Sequence, residues 1–195
     1  MTDLADRNEY LSAGVHIGMR MKTKGMAPFI FKTRADGLSV LDIEKTDDRI
    51  KIAASFLSSY NDIMVTCRKT NGIKPAKKFA EMTGAKVVTG RFLPGTLSNP
   101  NFKNYTEPDI ILVTDPIADK QAITEATHRR IPIMAICDTY NDLEFVDFII
   151  PANNKGKKSL GIIYYLLTRE ILKIRKEIKD NKDFKATLEE FTEKE

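Results

Sequence analysis

Apolar residues fall into two rhythms along the chain, and the change between them divides it. From Thr46 onward, short unbroken apolar runs alternate with stretches of helical spacing. Residues 63–67, 86–89, 110–114, 133–137 and 146–150 have the length and composition of buried strands. Between them, Ile50, Ala53, Ala54 and Leu57, then Ile73, Ala76, Phe79 and Ala80, then Ala118, Ala122 and Ala126 recur at the interval of one helix face. The spacing predicts helices over 46–60, 73–83 and 118–129, with Thr46 as an N-cap and Gly84 as a C-terminal stop. A final helix follows the loop 151–159. Leu160, Ile163, Tyr164, Leu167, Ile171, Ile174 and Ile178 lie on one side, and Ile162, Tyr165, Leu166 and Leu172 on the other. Its first half should therefore be buried nearly all round. Unbroken rather than alternating strands, separated by helices, mean an α/β protein with a parallel sheet covered on both faces. Such sheets hold ligands at the carboxyl ends of their strands.

Before Thr46 the pattern is less regular. Residues 1–8 are polar and expected to fray. Residues 9–17 suit a short helix halted by Gly14 and Gly18, and 18–27 have no period, as in an extended arm on a surface. Residues 29–32 and 38–43 flank Ala35-Asp36-Gly37, which signals a hairpin. At the other end, Phe184, Leu188 and Phe191 within residues 180–195 fit a detached amphipathic helix or an unstructured tail. The expected division is an arm over 1–28, one α/β domain over 29–178 and an acidic tail over 179–195.

Composition narrows the class. A chain of 195 residues, 42% hydrophobic and 30% charged, suits one soluble domain. No apolar run approaches the roughly 20 residues of a membrane span. The acids Asp3, Asp6 and Glu9 near the start are unlike a signal peptide. Cys67 and Cys137 each end an apolar run, which reads as two buried thiols in a reducing, cytosolic setting.

Charge distribution says more than the net +4. Tyr10 to Ala35 holds no acid but carries Arg20, Lys22, Lys24, Lys32 and Arg34. Between Ile63 and Thr106, Glu81 stands alone against Arg68, Lys69, Arg91 and further lysines. Phe148 to Arg169 is again free of acids, with Lys155, Lys157 and Lys158 in the loop before the last helix. Any one run could be an ordinary solvated face. Three acid-free basic stretches point instead to a polyanion. A strand, a lysine loop and a helix N-terminus favour anions in the same way, whether a nucleotide's phosphates or a nucleic-acid backbone.

Enzyme motifs fail in turn. Gly156-Lys157 is followed by Lys158, and Pro151 stands where a Walker loop needs glycine. Asp115 and Asp138 lie just past strands, where magnesium- or nucleotide-dependent enzymes keep carboxylates. No third acid or phosphate loop completes such a site, and Asp115-Pro116 is a common turn opener, so capping is the favoured role. His16 and His128 match no metal-ligand spacing, and no Cys-x-x-Cys occurs. The loop from Gly90 to Asn99, with Arg91, Phe92, Pro94 and Gly95, suits a shaped recognition loop.

Four segments in order carry a resemblance. These are Ala13-Gly14-Val15-His16-Ile17-Gly18, Gly90-Arg91-Phe92-Leu93-Pro94-Gly95-Thr96-Leu97-Ser98-Asn99, Val113-Thr114-Asp115-Pro116 with Ala118-Asp119, and Ile150-Pro151-Ala152-Asn153-Asn154-Lys155-Gly156. To about Arg175 the chain resembles the second protein of the small ribosomal subunit, in its archaeal and eukaryotic laminin-receptor-precursor branch. There is no room for the coiled coil of the bacterial branch, and the short tail implies an archaeal source.

The resemblance implies a three-layer, flavodoxin-like (Rossmann-like) sheet with a short N-terminal hairpin and a long C-terminal helix. It implies a structural role in the cytoplasmic ribosome, near the head–body junction on the solvent side. Its partners would be small-subunit ribosomal RNA and neighbouring ribosomal proteins, with no membrane, small-molecule substrate, metal or cofactor. The RNA contacts expected are Arg20, Lys22, Lys24, Lys32, Arg34, Arg68, Lys69, Arg91, Lys155, Lys157 and Lys158.

Overall fold

The computed structural model describes residues 4–192, apart from the Lys182 side chain. Helix α1 (Arg7–Ala13) is capped by the Asp6 carboxylate and ends at Gly14, whose φ of 70° is a left-handed conformation that glycine adopts freely. Strands β1 (Ile30–Thr33) and β2 (Ser39–Leu41) pair antiparallel across the turn at Gly37, as the Asp-Gly signal predicts. Then come α2 (Ile43–Ser58), β3 (Ile63–Cys67), α3 (Thr70–Thr83), β4 (Lys86–Thr89), β5 (Ile110–Val113) and α4 (Lys120–Arg129). Strands β6 (Ile133–Cys137) and β7 (Phe148–Pro151) precede the long α5 (Lys157–Ile174) and a last turn, α6 (Leu188–Phe191).

Five strands form a wholly parallel sheet in the order β4-β3-β5-β6-β7. Counted among themselves they read 2-1-3-4-5, the flavodoxin-like order, whose topological switch point lies between β3 and β5. Alternate side chains of each strand supply two separate cores. Ile63, Val65, Ile110, Leu112, Met134 and Ile136 meet α2, α3 and α5. Met64, Ile111, Val113, Ile133 and Ala135 meet the apolar side of α4. One helix cannot cover five strands, so the rest of this second face is closed by Met26 and Phe29 before the hairpin, Leu41 of β2, and Phe92 and Leu97 from the long loop. Helix α5 is buried from Ser159 to Leu172 save for its outer edge, as its two-sided apolar pattern requires. Both cysteines are buried and unpaired, and burial pushes the Cys67 thiol up to about 11. Among the described residues no helix is long and apolar enough to cross a membrane.

The termini depart from expectation. Residues 4–8 do not fray: the Leu4 amide donates to Asp47 Oδ1 at 3.1 Å, and Arg169 donates to the Leu4 carbonyl at 2.6 Å. Residues 1–3 lie outside the described residues. At the other end the chain turns back after α5 rather than trailing away. Phe184 and Phe191 sink beside Tyr165, with ring centroids 5.1 and 5.7 Å from it in edge-on geometry. The tail thus completes the α3/α5 side of the core, and Lys78 reaches Glu190 at 3.1 Å across the join. Helix α2 starts at Asp42, which takes the Glu44 amide at 3.2 Å. Thr46, expected to cap it, instead sits inside the first turns and donates its hydroxyl to the Pro151 carbonyl at 2.7 Å.

Candidate nucleic-acid interface

At the carboxyl end of the sheet the loops after β3, β4, β6 and β7 emerge side by side, and the arm is laid across them. Residues 16–19 run antiparallel beside β2 through a single bridge at Ile17–Val40: Leu41 N donates to the His16 carbonyl at 2.8 Å and Gly18 N to the Ser39 carbonyl at 2.9 Å. The arm then crosses the β6 loop. Met19 N donates to Thr139 Oγ1 at 2.9 Å, Thr23 N to the Thr139 carbonyl at 2.9 Å and Thr23 Oγ1 to the Asn141 carbonyl at 2.8 Å. Gly18 is needed for this approach, since a Cβ there would stand 2.5 Å from the Thr139 methyl. On its other side the arm is clasped by Asn153, which donates from its backbone to the Val15 carbonyl (3.0 Å) and from its side chain to the Gly14 carbonyl (3.0 Å).

The switch point, where related folds hold ligands, is filled by the chain's own polar groups. Asp115 is buried; Oδ1 accepts from Asn141 Nδ2 at 2.8 Å and the Ile117 amide at 3.1 Å, and Oδ2 accepts from the Tyr140 hydroxyl at 3.1 Å. The Lys69 ammonium closes on Asp115 as an ion pair and also donates to Tyr140 Oη at 3.1 Å and Asn154 Oδ1 at 3.2 Å. Asn154 in turn donates to the Ile136 carbonyl and to Asn141 Oδ1, each at 3.0 Å. Asp138 accepts from the Thr139 amide at 2.6 Å. Both strand-end aspartates therefore act as caps and struts, as the turn chemistry predicts.

The lysine loop before α5 also differs from a phosphate cradle. Its Lys155 and Gly156 amides donate inward to Asn153 Oδ1, at 2.9 and 3.2 Å, so they are not the free donors that the sequence suggests. What the end of the sheet does offer is net positive field. Helices α3, α4 and α5 all begin here with no side-chain cap on their first amides. Two buried acids here, Asp119 and Asp138, are partly muted. Burial above all, with the Asp115 charge adding, pushes Asp119 up to about 7 despite backbone hydrogen bonds from Asp115 and Arg68. Burial likewise raises Asp138, with the Thr139 amide pulling back.

Around this end Arg20, Lys22 and Lys24 on the arm, Lys32 and Arg34 on the hairpin, Arg68 after β3, Arg91 after β4, and Lys157 and Lys158 at the start of α5 are all exposed. Arg34 pairs with Asp36 at 3.3 Å, a contact open to water and worth little. Lys155 lies over the Tyr140 ring, 4.1 Å from its centroid, half-buried but aimed by the stack. Lys69 alone among these faces inward.

Several working residues gave no signal of their own. Glu125 on α4 accepts from the Gly95 amide (2.8 Å), the Leu97 amide (3.0 Å), Ser98 Oγ (3.2 Å) and Gln121 Nε2 (2.9 Å), which shapes the loop behind Arg91. Burial would raise its pKa, but these donors together hold it below the ordinary carboxylate range. Thr139 and Asn141 form the seat of the arm, with Tyr140 between them turned to Asp115, and only their polar character beside Asp138 hints at local hydrogen bonding.

Sequence comparison agrees with this geometry. A family model described as ribosomal protein S2 matches residues 10–105 and 100–173. Small ribosomal subunit protein uS2 of Picrophilus torridus is 50% identical over 190 residues, covering 96% of this chain and 95% of that protein. The protein of the same name from Thermoplasma acidophilum is 49% identical over 190 residues, covering 96% of each. That of Methanoregula boonei is 54% identical over 169 residues, covering 86% of this chain and 83% of its own. With a family match over most of its length and archaeal relatives half-identical across it, the chain belongs to the ribosomal protein S2 family.

Proposed function

We propose that this chain is a structural constituent of the small ribosomal subunit, supporting translation rather than catalysing a reaction. It binds small-subunit RNA and neighbouring ribosomal proteins near the head–body junction on the solvent side. The observation that carries the reading is the gathering of the basic arm, hairpin and strand-end loops around one end of the sheet, where the enzyme-like crevice is already filled by Lys69 and Asp115. Arg20, Lys22, Lys24, Lys32, Arg34, Arg68, Arg91, Lys155, Lys157 and Lys158 meet phosphates there, while Lys69 fixes the loops that carry them. Phosphate contacts position a protein and do not read sequence. Selectivity comes from RNA shape and from unpaired bases.

The test is salt. If about six cations engage, log affinity for small-subunit RNA falls with log salt at a slope of about −4 to −5. Replacing Arg20, Lys22 and Lys24 together by glutamine makes the slope shallower by about 2 to 3. A flat response in the wild-type protein, or failure to co-sediment with small subunits, refutes the reading.

A further inference from the structure

Phe31 has no part in either core. It stands on β1, the strand of the hairpin on the side away from the arm, and 63% of its surface is exposed. A single exposed ring is ordinary on a protein surface; within the chain this one meets the Lys32 ammonium, 5.9 Å from its centroid, and is otherwise open to a partner. It lines an open groove of about 350 Å³ whose other apolar walls are Leu11, Val40, Leu41 and Ile43.

The polar lining narrows the partner. Arg7, Lys32 and Arg34 border the same groove, so a purely apolar protein segment would leave three cations facing it. Flat ring, short apolar floor and flanking cations are instead the parts of a single-stranded nucleic-acid site, where a base stacks and the backbone is neutralised. Two acids line it as well. Asp42 is occupied as the cap of α2. Glu44 is exposed at the groove, and a carboxylate there suits the exocyclic amine of a base. His16 is the remaining polar wall. Burial first, and Arg34's charge further, lower its pKa against the pull of the Tyr10 carbonyl. Its imidazole is thus neutral at pH 7 and adds no charge.

We propose that this groove receives one unstacked nucleobase of small-subunit RNA, an amine-bearing adenine or cytosine, stacked on Phe31 with Glu44 accepting from its amine. Lys32 and Arg34 hold the phosphates on either side. The proposal rests on the ribosomal reading above and adds to it a base contact, distinct from the phosphate contacts of the strand-end loops.

The test uses full-length protein assembled into small subunits that lack it, with the particles isolated by sedimentation. Reagents that attack the Watson–Crick edges of unpaired bases are then applied. Phe31→Leu keeps apolar bulk but removes the ring, and Phe31→Trp keeps a stacking surface. All three proteins co-sediment, because the phosphate contacts are intact. Particles with Phe31→Leu show one adenine or cytosine more reactive by roughly fivefold or more, the smallest factor expected from losing one base stack. Wild-type and Phe31→Trp particles protect that base. Identical reactivity in wild-type and Phe31→Leu particles overturns the base site and leaves the ribosomal reading standing. Failure of the wild-type protein to co-sediment overturns the ribosomal reading, and this proposal with it.

Discussion

Replacing Lys69 by methionine separates a residue that holds the strand-end loops together from one proposed to touch RNA. The lysine side chain is 24% exposed and its partner Asp115 only 2%, so the substitution leaves a carboxylate charge almost sealed inside the protein. Three neutral donors persist around it, from Asn141, Tyr140 and the Ile117 amide. Removing one member of a buried pair costs about 3–5 kcal/mol, and the surviving donors place Lys69→Met near the lower figure. At about 2–4 °C per kcal/mol for a domain of this size, the melting temperature falls by roughly 6–12 °C. Adding Asp115→Leu to Lys69→Met recovers most of that loss, because an apolar pair needs no desolvation of charge. Arg68→Met, one residue earlier and exposed, is the control. It leaves melting unchanged and weakens RNA binding, with the salt slope shallower by about 1. Thermal denaturation followed by circular dichroism, with RNA titrations at several salt concentrations, decides the matter. If Lys69→Met melts within 2 °C of wild type yet loses RNA affinity as Arg68→Met does, the ammonium serves the RNA and its role as an internal strut is refuted.

Stability should also track pH through Asp119. Its folded pKa of about 7 lies above the unfolded value, so stability is greatest where both states are protonated and is lost as pH rises toward 7. Between pH 5 and pH 8 this group contributes a fall of about 2–3 kcal/mol. His16, whose pKa is lowered, acts in the opposite sense, losing stability as pH drops below its unfolded value near 6.5. Urea melts of Asp119→Asn against wild type isolate the aspartate: the difference between the two proteins should grow from pH 5 to pH 8, and a constant difference contradicts the assignment. For the tail, Phe191→Ala empties a fully buried position beside Tyr165. It should lower stability by about 3 kcal/mol and open the chain around Lys185 to trypsin. Unchanged melting and unchanged cleavage would show that residues 184–191 are not docked.

How much of this could be read from the chain depends on what each element leans on. The parallel strands were legible because both their faces are covered, which leaves unbroken apolar runs. Helix α2 begins earlier than its spacing predicts because two rules compete there. Asp42 and Thr46 are both capping residues, and the true cap was the one placed two residues before a free amide. Gly72 disguised the first turn of α3, although its missing Cβ is what lets the helix pass Cys67, whose sulfur would lie 2.6 Å from one. Phe92 and Leu97 carried no period, since they fill a sheet face that lacks a second helix. At the interface, segregated charge located the basic surface, but the inward turn of Lys69 depends on Asp115 and Asn154, whose proximity only the folded sheet creates. In the sequence Asn153 and Asn154 belong to a motif that assigns them no role. Their carboxamides turn out to hold the arm and fill the crevice.

The arm's seat has a bearing on how the chain is made. Met19 is bound by a residue 120 positions later, and Val15 by Asn153, so the arm docks only after the chain through Asn153 has left the synthesising ribosome. Contacts so distant in sequence close slowly and late. Until then Arg20, Lys22 and Lys24 ride on a loose leader while the strands assemble behind them. A nascent product that stops short of Asn153 therefore lacks the seated arm, and the growing particle can distinguish it from longer copies by grip alone.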